Sequence, residues 1–553
     1  MADTSPNREK VLINSSSVQN SINQVKDQQT NELVIALIGP IGTPLRVVYD
    51  EIKKQLSEYG YTPDNIHYFK VSEFIVEYAN LVDNKITLTD IGKLPAFEKK
   101  MKKIELGNEL RRRFQNSFLI ERVISEIFDL RTKNTTVEKN EEDPSTKIAD
   151  AAQPRREVYI IDSIKNQEEL DLLRLVYRDL IYCIGVSTSI EQRVQVLEQG
   201  IAFRDGKKNS DSENELKRSE VWSLIDEESG EEISYGQTVK DTFQLADYFI
   251  FVNIEDPKSL TLKIQRFLEI VFDAVLVTPT LNETAMYMAY SASLNSACLS
   301  RQVGAALTDR NGEVISVGWN DVPKYGGGLY QNNNLLPDQT DERCFQDNRK
   351  ICYNDKYKND LAQEIIDVLL EQKFLTLEAT NRKEEVLKIL RNSRIGHIVE
   401  FSRSIHAEMH ALLEGSIRAG ERVREGKMFI TTYPCHICAR HLILAGINEV
   451  YYIEPYRKSL TKKLHSDSIT EDEDIKEKDK RKVRIRLFEG IGPNRYRQLF
   501  KMLPNSRKTP QIGTLIEKKD KTSLTPKSSI SLSAIPTLEA MISLNLQSKL
   551  YPK

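Results

Sequence analysis

The chain has 553 residues and a mass of 63.5 kDa, with 40% apolar and 29% charged residues, enough for two to four domains at roughly 150 residues each and for a large buried core without staples. Lys+Arg 78 against Asp+Glu 81 leaves a net charge of -3, which argues against whole-molecule attraction to nucleic acid or to an anionic membrane and leaves room only for a local patch. Six cysteines cannot be a disulfide framework, no apolar run is long enough for a bilayer, and the opening MADTSPNREKVLINSSS lacks a signal peptide's apolar stretch, so collagen-like, mucin-like, transmembrane and small secreted classes are excluded and the cytoplasm is the expected compartment.

Residues 1–30 are polar, rich in Asn, Ser and Gln, and expected to be disordered. ELVIALIG (32–39) is an apolar run ending in Gly, which reads as a buried strand. The helix after it carries Leu45, Val48, Ile52 and Leu56 on one face. Residues 132–156 read as a surface insertion. EVYIID (157–162), LIYCIGV (180–186) and YFIFVN (248–253) are further buried strands separated by helical stretches. Strands alternating with helices predict an α/β domain over 31–275 with a parallel sheet.

A second domain is expected over 276–505, followed by a solvated C-terminal tail at 506–553. NETAMYMAYSASLNSACLS (282–300) reads as a buried helix, and VGAALTD (303–309) and EVISVGWN (313–320) flank the hairpin turn Arg310-Asn311-Gly312. A long insertion runs from about 321 to 400. A helix from His406, the strand KMFITTY (427–433), a helix from Cys435 and the strand EVYYIEP (449–455) follow. Residues 466–482 are a charge run, and VRIRLFEG (483–490) is a further candidate strand. There is no internal repeat.

The strongest chemical signal is His406-Ala407-Glu408 followed by Pro434-Cys435-His436-Ile437-Cys438. Two thiolates with two residues between them at a helix start can reach one ion, and the helix N-terminus favours the thiolate form. One imidazole from another helix makes three protein ligands and leaves the fourth tetrahedral position of a zinc ion open for water, as in catalytic rather than structural sites. Two thiolates also balance the charge of Zn2+. Glu408, in the first turn after the ligand, can take a proton from that water and pass it to a ring nitrogen and a leaving amine. Attack on a carbon bearing an exocyclic amine, with loss of ammonia, is a hydrolytic deamination. The other cysteines (Cys183, Cys298, Cys344, Cys352) read as small buried hydrophobes, with a second metal at Cys344 and Cys352 as the alternative, and His436 reads as structural.

At these residues the chain resembles the zinc-dependent cytidine and deoxycytidylate deaminase superfamily. The resemblance extends through Ser300–Ala305, Gly318-Trp319-Asn320, Thr431–Cys435, Ala445-Gly446-Ile447 and Glu454–Ser459. It implies a three-layer αβα fold for 276–505, zinc held by His406, Cys435 and Cys438, proton transfer by Glu408, and substrate binding by Asn320, Arg301, Tyr456 and Lys458. Gly326-Gly327-Gly328 reads either as a loop whose backbone approaches a phosphate or as a plain flexible loop.

The N-terminal domain resembles a P-loop kinase fold. Gly39-Pro40-Ile41-Gly42-Thr43-Pro44 sits between strand and helix, and Asp162 ends an apolar strand. Pro44, Leu45 and Arg46 stand where the motif needs Gly, Lys and Ser or Thr, so the phosphate-reaching lysine is missing. Nucleotide binding at Gly39, Gly42, Thr43 and Asp162, or a partner surface, is expected rather than phosphoryl transfer. The combination resembles bacterial anti-phage deoxycytidylate deaminases. That likeness implies conversion of dCTP and dCMP to dUTP and dUMP, restraint by an allosteric nucleotide such as dTTP or by a small regulatory RNA, and a homo-oligomer. The competing readings are a deaminase acting on a base in RNA or single-stranded DNA, a housekeeping dCMP deaminase for dTMP supply, and a zinc-stabilised interaction module.

Overall fold

The run Leu33–Ile38 forms strand β1 and is buried at every position, as a central parallel strand must be when helices cover both sides of its sheet. It belongs to a computed structural model that describes residues 29–82, 88–133, 154–205, 221, 239–332, 341–345, 350–375, 381–398, 401–455, 459–472, 481–502 and 507–551 except 510, 511, 519, 529, 531 and 533. The disorder expected for 1–30 falls almost wholly outside the described residues, as do most of the 132–156 insertion and positions 473–480 of the charge run. The chain divides into two units, Met1–Val277 with Leu499–Lys553, and Thr278–Gln498. Both are mixed α/β with sheets in which parallel pairing dominates. No helix among the described residues is long and apolar enough to cross a membrane.

In unit one, β1 is followed by α1 (Leu45–Leu56), β2 (Ile66–Lys70), α2 (Ala96–Phe114), α3 (Phe118–Lys133), β3 (Val158–Asp162), α4 (Gln167–Tyr177), β4 (Ile181–Ser187), α5 (Ile190–Asp205), β5 (Tyr248–Phe251) and α6 (Pro257–Val271). The strands run in the order β5-β4-β1-β3-β2, each parallel to its neighbour. Leu45, Val48, Ile52 and Leu56 are buried, as their spacing predicts. The strand that pattern reading overlooks is β2, IHYFK, an edge strand only partly covered and therefore without a continuous apolar run.

The segment after 505, expected to be a solvated tail, instead folds onto unit one. Lys518 and Lys527 pair with Asp273 at 2.8 and 3.2 Å, and Lys549 pairs with Glu121 at 2.8 Å. The C-terminal helix Ile535–Leu550 packs on α3 and α4. It delivers Glu539 to Arg131 of α3, which also holds Glu32 just before β1; the three side chains are fully buried, with Nε of Arg131 3.0 Å from Glu539 and Nη2 2.6 Å from Glu32. Composition hid this, because a Ser- and Lys-rich stretch can be ordered by partners far away in the chain.

Unit two contains α7 (Leu281–Ser293), β6 (Gly304–Thr308), β7 (Val314–Trp319), α8 (Tyr353–Glu371), α9 (Lys383–Asn392), α10 (Ala407–Ala419), β8 (Lys427–Thr432), α11 (His436–Ala445), β9 (Glu449–Glu454), β10 (Ile469–Thr470) and β11 (Val483–Leu487). The sheet order is β10-β11-β9-β8-β6-β7, with β6 antiparallel to both its neighbours and the other pairs parallel. Two glycines reveal the layering. A Cβ on Gly304 would lie 1.9 Å from the Ala289 carbonyl oxygen of α7, and one on Gly318 would lie 2.5 Å from the Ala407 oxygen and 2.4 Å from the Ala411 nitrogen of α10. Gly304 pairs with Trp319, so Gly318 faces the opposite side of the sheet. Helices α7 and α10 thus cover opposite faces, each at a point where only a missing side chain allows so close an approach. The 321–400 insertion is not structureless: it carries α8 and α9, packed on each other.

Candidate active site

Both halves of the metal motif sit at helix starts. His406 is the N-cap residue of α10 and Glu408 lies in its first turn. Cys435 caps α11, its Sγ accepting from the Cys438 amide at 3.5 Å. The Nδ1 of His406 is 3.3 Å from Cys435 Sγ and 3.2 Å from Cys438 Sγ, and the donor atoms all lie within 4.8 Å of one another. Zinc with bonds of about 2.3 Å to sulfur and about 2.0 Å to nitrogen needs its tetrahedral S and N donors about 3.5 Å apart. The donor set therefore fits zinc. Among the described residues no other three His, Cys, Asp or Glu side chains are grouped in this way.

The electrostatics agree with this chemistry. A hydrogen bond from Cys438, then the His406 imidazole, holds the Cys435 thiol down at about 4. Burial pushes Glu408 up to about 7, against the opposing pull of the His406 charge. His410, one turn further on, is held neutral by burial, and its Nδ1 accepts from the Trp319 amide at 3.2 Å.

His406, Glu408 and Cys435 form one side of a cavity of about 720 Å³, within the range of small-molecule sites. Asn320 and Arg301 line the same cavity. The Asn320 carboxamide is held at both ends: Oδ1 accepts from the Val303 amide and Nδ2 donates to the Arg301 carbonyl, each at 2.8 Å. It thereby fixes the chain entering β6, and one Nδ2 hydrogen and one Oδ1 lone pair remain for a ligand. The Arg301 guanidinium pairs with Glu454 at 2.8 Å, and Glu454 also accepts from Thr432 Oγ1 at 2.9 Å. Tyr456 and Lys458 lie outside the described residues. Gly326, Gly327 and Gly328 all take positive φ in a tight loop closed by the Pro323–Leu329 bridge, away from the cavity lining. Cys183 is buried in β4 as expected, while Cys298, Cys344 and Cys352 line the cavity, Cys344 buried and the other two partly exposed.

In unit one, Gly39, Gly42 and Thr43 follow β1 and Asp162 ends the adjacent β3, so these four share the carboxyl edge of the sheet. Gly42 has φ +83, and the loop is held down by Lys165 Nζ donating to the Gly39 carbonyl at 2.9 Å and Arg193 Nε donating to that of Ile41 at 2.7 Å. Asp162 accepts from the Tyr68 hydroxyl.

Pattern reading missed a wall of this cavity made by the insertion: Tyr353, Asn354 and Lys358 from α8, Arg391 from α9, and Arg403 before His406. No local motif could reveal them, since they converge only through tertiary packing.

The Gly318 contact yields a direct prediction. Gly318→Ala forces its methyl into the α10 backbone between Ala407 and Ala411. Stability is expected to fall by about 1–3 kcal/mol. The displaced His406 and Glu408 should lower kcat about 100-fold, checked by thermal denaturation, zinc content and turnover.

Comparison with known proteins agrees with the motif. Residues 279–454 match the family described as the cytidine and deoxycytidylate deaminase zinc-binding region. The deoxycytidylate deaminase of Enterobacteria phage T4 is 27% identical over 177 residues, covering 32% of this chain and 79% of that protein. ComE operon protein 2 of Bacillus subtilis (strain 168) is 43% identical over 56 residues, 10% of this chain and 29% of that one. The crystal structure of dCMP deaminase from the cyanophage S-TIM5 in complex with dCMP and dUMP aligns with 38% of this chain and 100% of its own, at 17% identity and a TM-score of 0.20. Residues 279–454 therefore match the cytidine and deoxycytidylate deaminase zinc-binding region, and over this part the chain is similar to deoxycytidylate deaminases.

Proposed function

We propose that the chain hydrolyses the exocyclic amine of deoxycytidine nucleotides, converting dCTP and dCMP to dUTP and dUMP with release of ammonia, and that by draining dCTP it defends a bacterial cell against phage. The observation that carries the chemistry is the three-donor set of His406, Cys435 and Cys438 with buried Glu408 beside it at one end of a nucleotide-sized cavity. Zinc bound by those donors supplies Lewis acidity that brings the pKa of water towards about 7. Glu408 carries the first proton of the attacking water to the pyrimidine ring nitrogen, and then carries the proton of the new C4 hydroxyl to the departing amine, leaving a C4 carbonyl and ammonia. Asn320 holds the sugar or base with the hydrogen-bonding capacity left on its carboxamide, and Arg301, Tyr456 and Lys458 complete the substrate contacts.

Unit one is proposed as a P-loop kinase-like regulatory domain. Support comes from Gly39, Gly42, Thr43 and Asp162 at the carboxyl edge of a parallel sheet, where nucleotides bind in such folds. Arg46, at a position where the motif has Ser or Thr, lies over the Tyr49 and Tyr68 rings, which fits sensing rather than phosphoryl transfer. Its ligand would be a nucleotide such as dTTP or a small RNA, in a homo-oligomeric assembly.

The test is a substrate panel on zinc-loaded protein: deoxycytidine, dCMP, dCTP, CTP and single-stranded DNA and RNA, with ammonia release measured. Turnover is expected on dCTP and dCMP. Turnover confined to the oligonucleotides would overturn the substrate reading, and none at all with zinc bound would favour an interaction module. Added dTTP should shift the rate or the melting temperature; no shift would count against nucleotide sensing by unit one.

A further inference from the structure

We infer that the insertion between β7 and α10 builds a cationic cradle for the triphosphate end of the nucleotide, made by Lys358, Arg391 and Arg403 on the wall of the active-site cavity. This rests on the reading of that cavity as a deoxycytidine-nucleotide site and goes further by assigning the residues that read the phosphates. Lys358 comes from α8, Arg391 from the last turn of α9, and Arg403 from the segment leading into His406, and all three line the cavity that also holds His406 and Glu408.

Each cation is oriented by the protein. Lys358 is 6% exposed and donates to the Gly396 carbonyl at 3.1 Å. Arg391 Nη2 donates to Asp355 at 2.9 Å, and the Arg403 guanidinium stacks over Tyr353 at 5.5 Å. Yet Nη1 of Arg391 and Nη1 of Arg403 are buried without a hydrogen-bond partner on this wall. Buried donors of a charged group are almost always satisfied. Two guanidinium edges left unsatisfied on one cavity wall are what an anion with several oxygens would complete, because a planar guanidinium matches phosphate geometry.

Charge selects among phosphate ligands. Asp355 offsets one of the three cations, while Arg301 elsewhere in the cavity is engaged by Glu454. A triphosphate brings enough charge and enough non-bridging oxygens to engage the whole wall. A monophosphate reaches only part of it, and a nucleic-acid backbone offers one charge per phosphate spread along a strand.

The test uses the full-length, zinc-loaded protein with Arg391→Gln, Arg403→Gln and the double variant. The double variant is expected to raise KM for dCTP about 100-fold, with dCMP affected far less and kcat/KM for deoxycytidine unchanged. Arg403→Lys, which keeps the charge but loses the fork, should fall between. Inorganic triphosphate, titrated calorimetrically, should bind the wild type and bind the double variant at least about 30-fold more weakly. Equal losses on dCTP, dCMP and deoxycytidine would mean a merely structural role and overturn the cradle. So would unchanged dCTP kinetics with unchanged triphosphate binding, or equal losses on dCMP and dCTP. If the wild type deaminates no cytosine nucleotide, the reaction assignment fails, while triphosphate binding still judges the cradle by itself.

Discussion

A Glu408→Gln protein is expected to fold, to bind one zinc per chain, and to deaminate dCTP about 10³–10⁴-fold more slowly than the wild type, the upper range for loss of a general acid–base group. The carboxylate is buried in the first turn of α10 and is absent from the donor set, so a neutral isostere removes proton transfer without removing a ligand. Burial already disfavours the charged form of Glu408, which makes glutamine inexpensive for the fold. Replacing Cys438 by Ser differs in kind: a donor disappears, zinc is lost, and activity goes with it. Metal content by elemental analysis and ammonia release under single-turnover conditions separate the two. Residual turnover within tenfold of wild type in Glu408→Gln would remove this carboxylate from the mechanism.

Arg131→Met is expected to destabilise unit one by about 3–5 kcal/mol, the cost of removing one partner from a buried ionic group. Glu32 and Glu539 would both be left inside with no counter-charge. Burial raises the pKa of each carboxyl even with the arginine present, Glu539 to about 7, so without it they become protonated rather than remain charged. Truncation before Ile535 should destabilise comparably, since it strips the helix that covers α3. Chemical denaturation followed by circular dichroism measures both. A loss below 1 kcal/mol for Arg131→Met would show that the triad is hydrated and that the C-terminal helix does not dock as described.

The candidate metal site was readable because its residues are local in sequence. His406 and Glu408 lie two residues apart at one helix start, and Cys435 and Cys438 three apart at another. The central strands of unit one were readable because burial on both faces leaves an unbroken apolar run, as in LVIALI and IYCIGV. Edge strand β2 lacks that run and escaped notice. The role of Asn320 was only half visible: its position in Gly-Trp-Asn was plain, but its two bonds to the backbone at Arg301 and Val303 required the paired strands.

By itself, then, the order of residues determined which His, Cys and Glu side chains the folded chain brings together as a candidate zinc site, and the alternation of strand and helix, because each depends on neighbours a few positions away. Tertiary structure alone decided that the tail closes unit one through Glu539 and Arg131, and that Lys358, Arg391 and Arg403 meet on one wall of the active-site cavity. The physical reason is range. Coordination at a helix start and periodic burial are short-range along the chain, whereas a buried ion triad or a convergent set of cations takes its meaning from groups that only folding brings within a few ångströms.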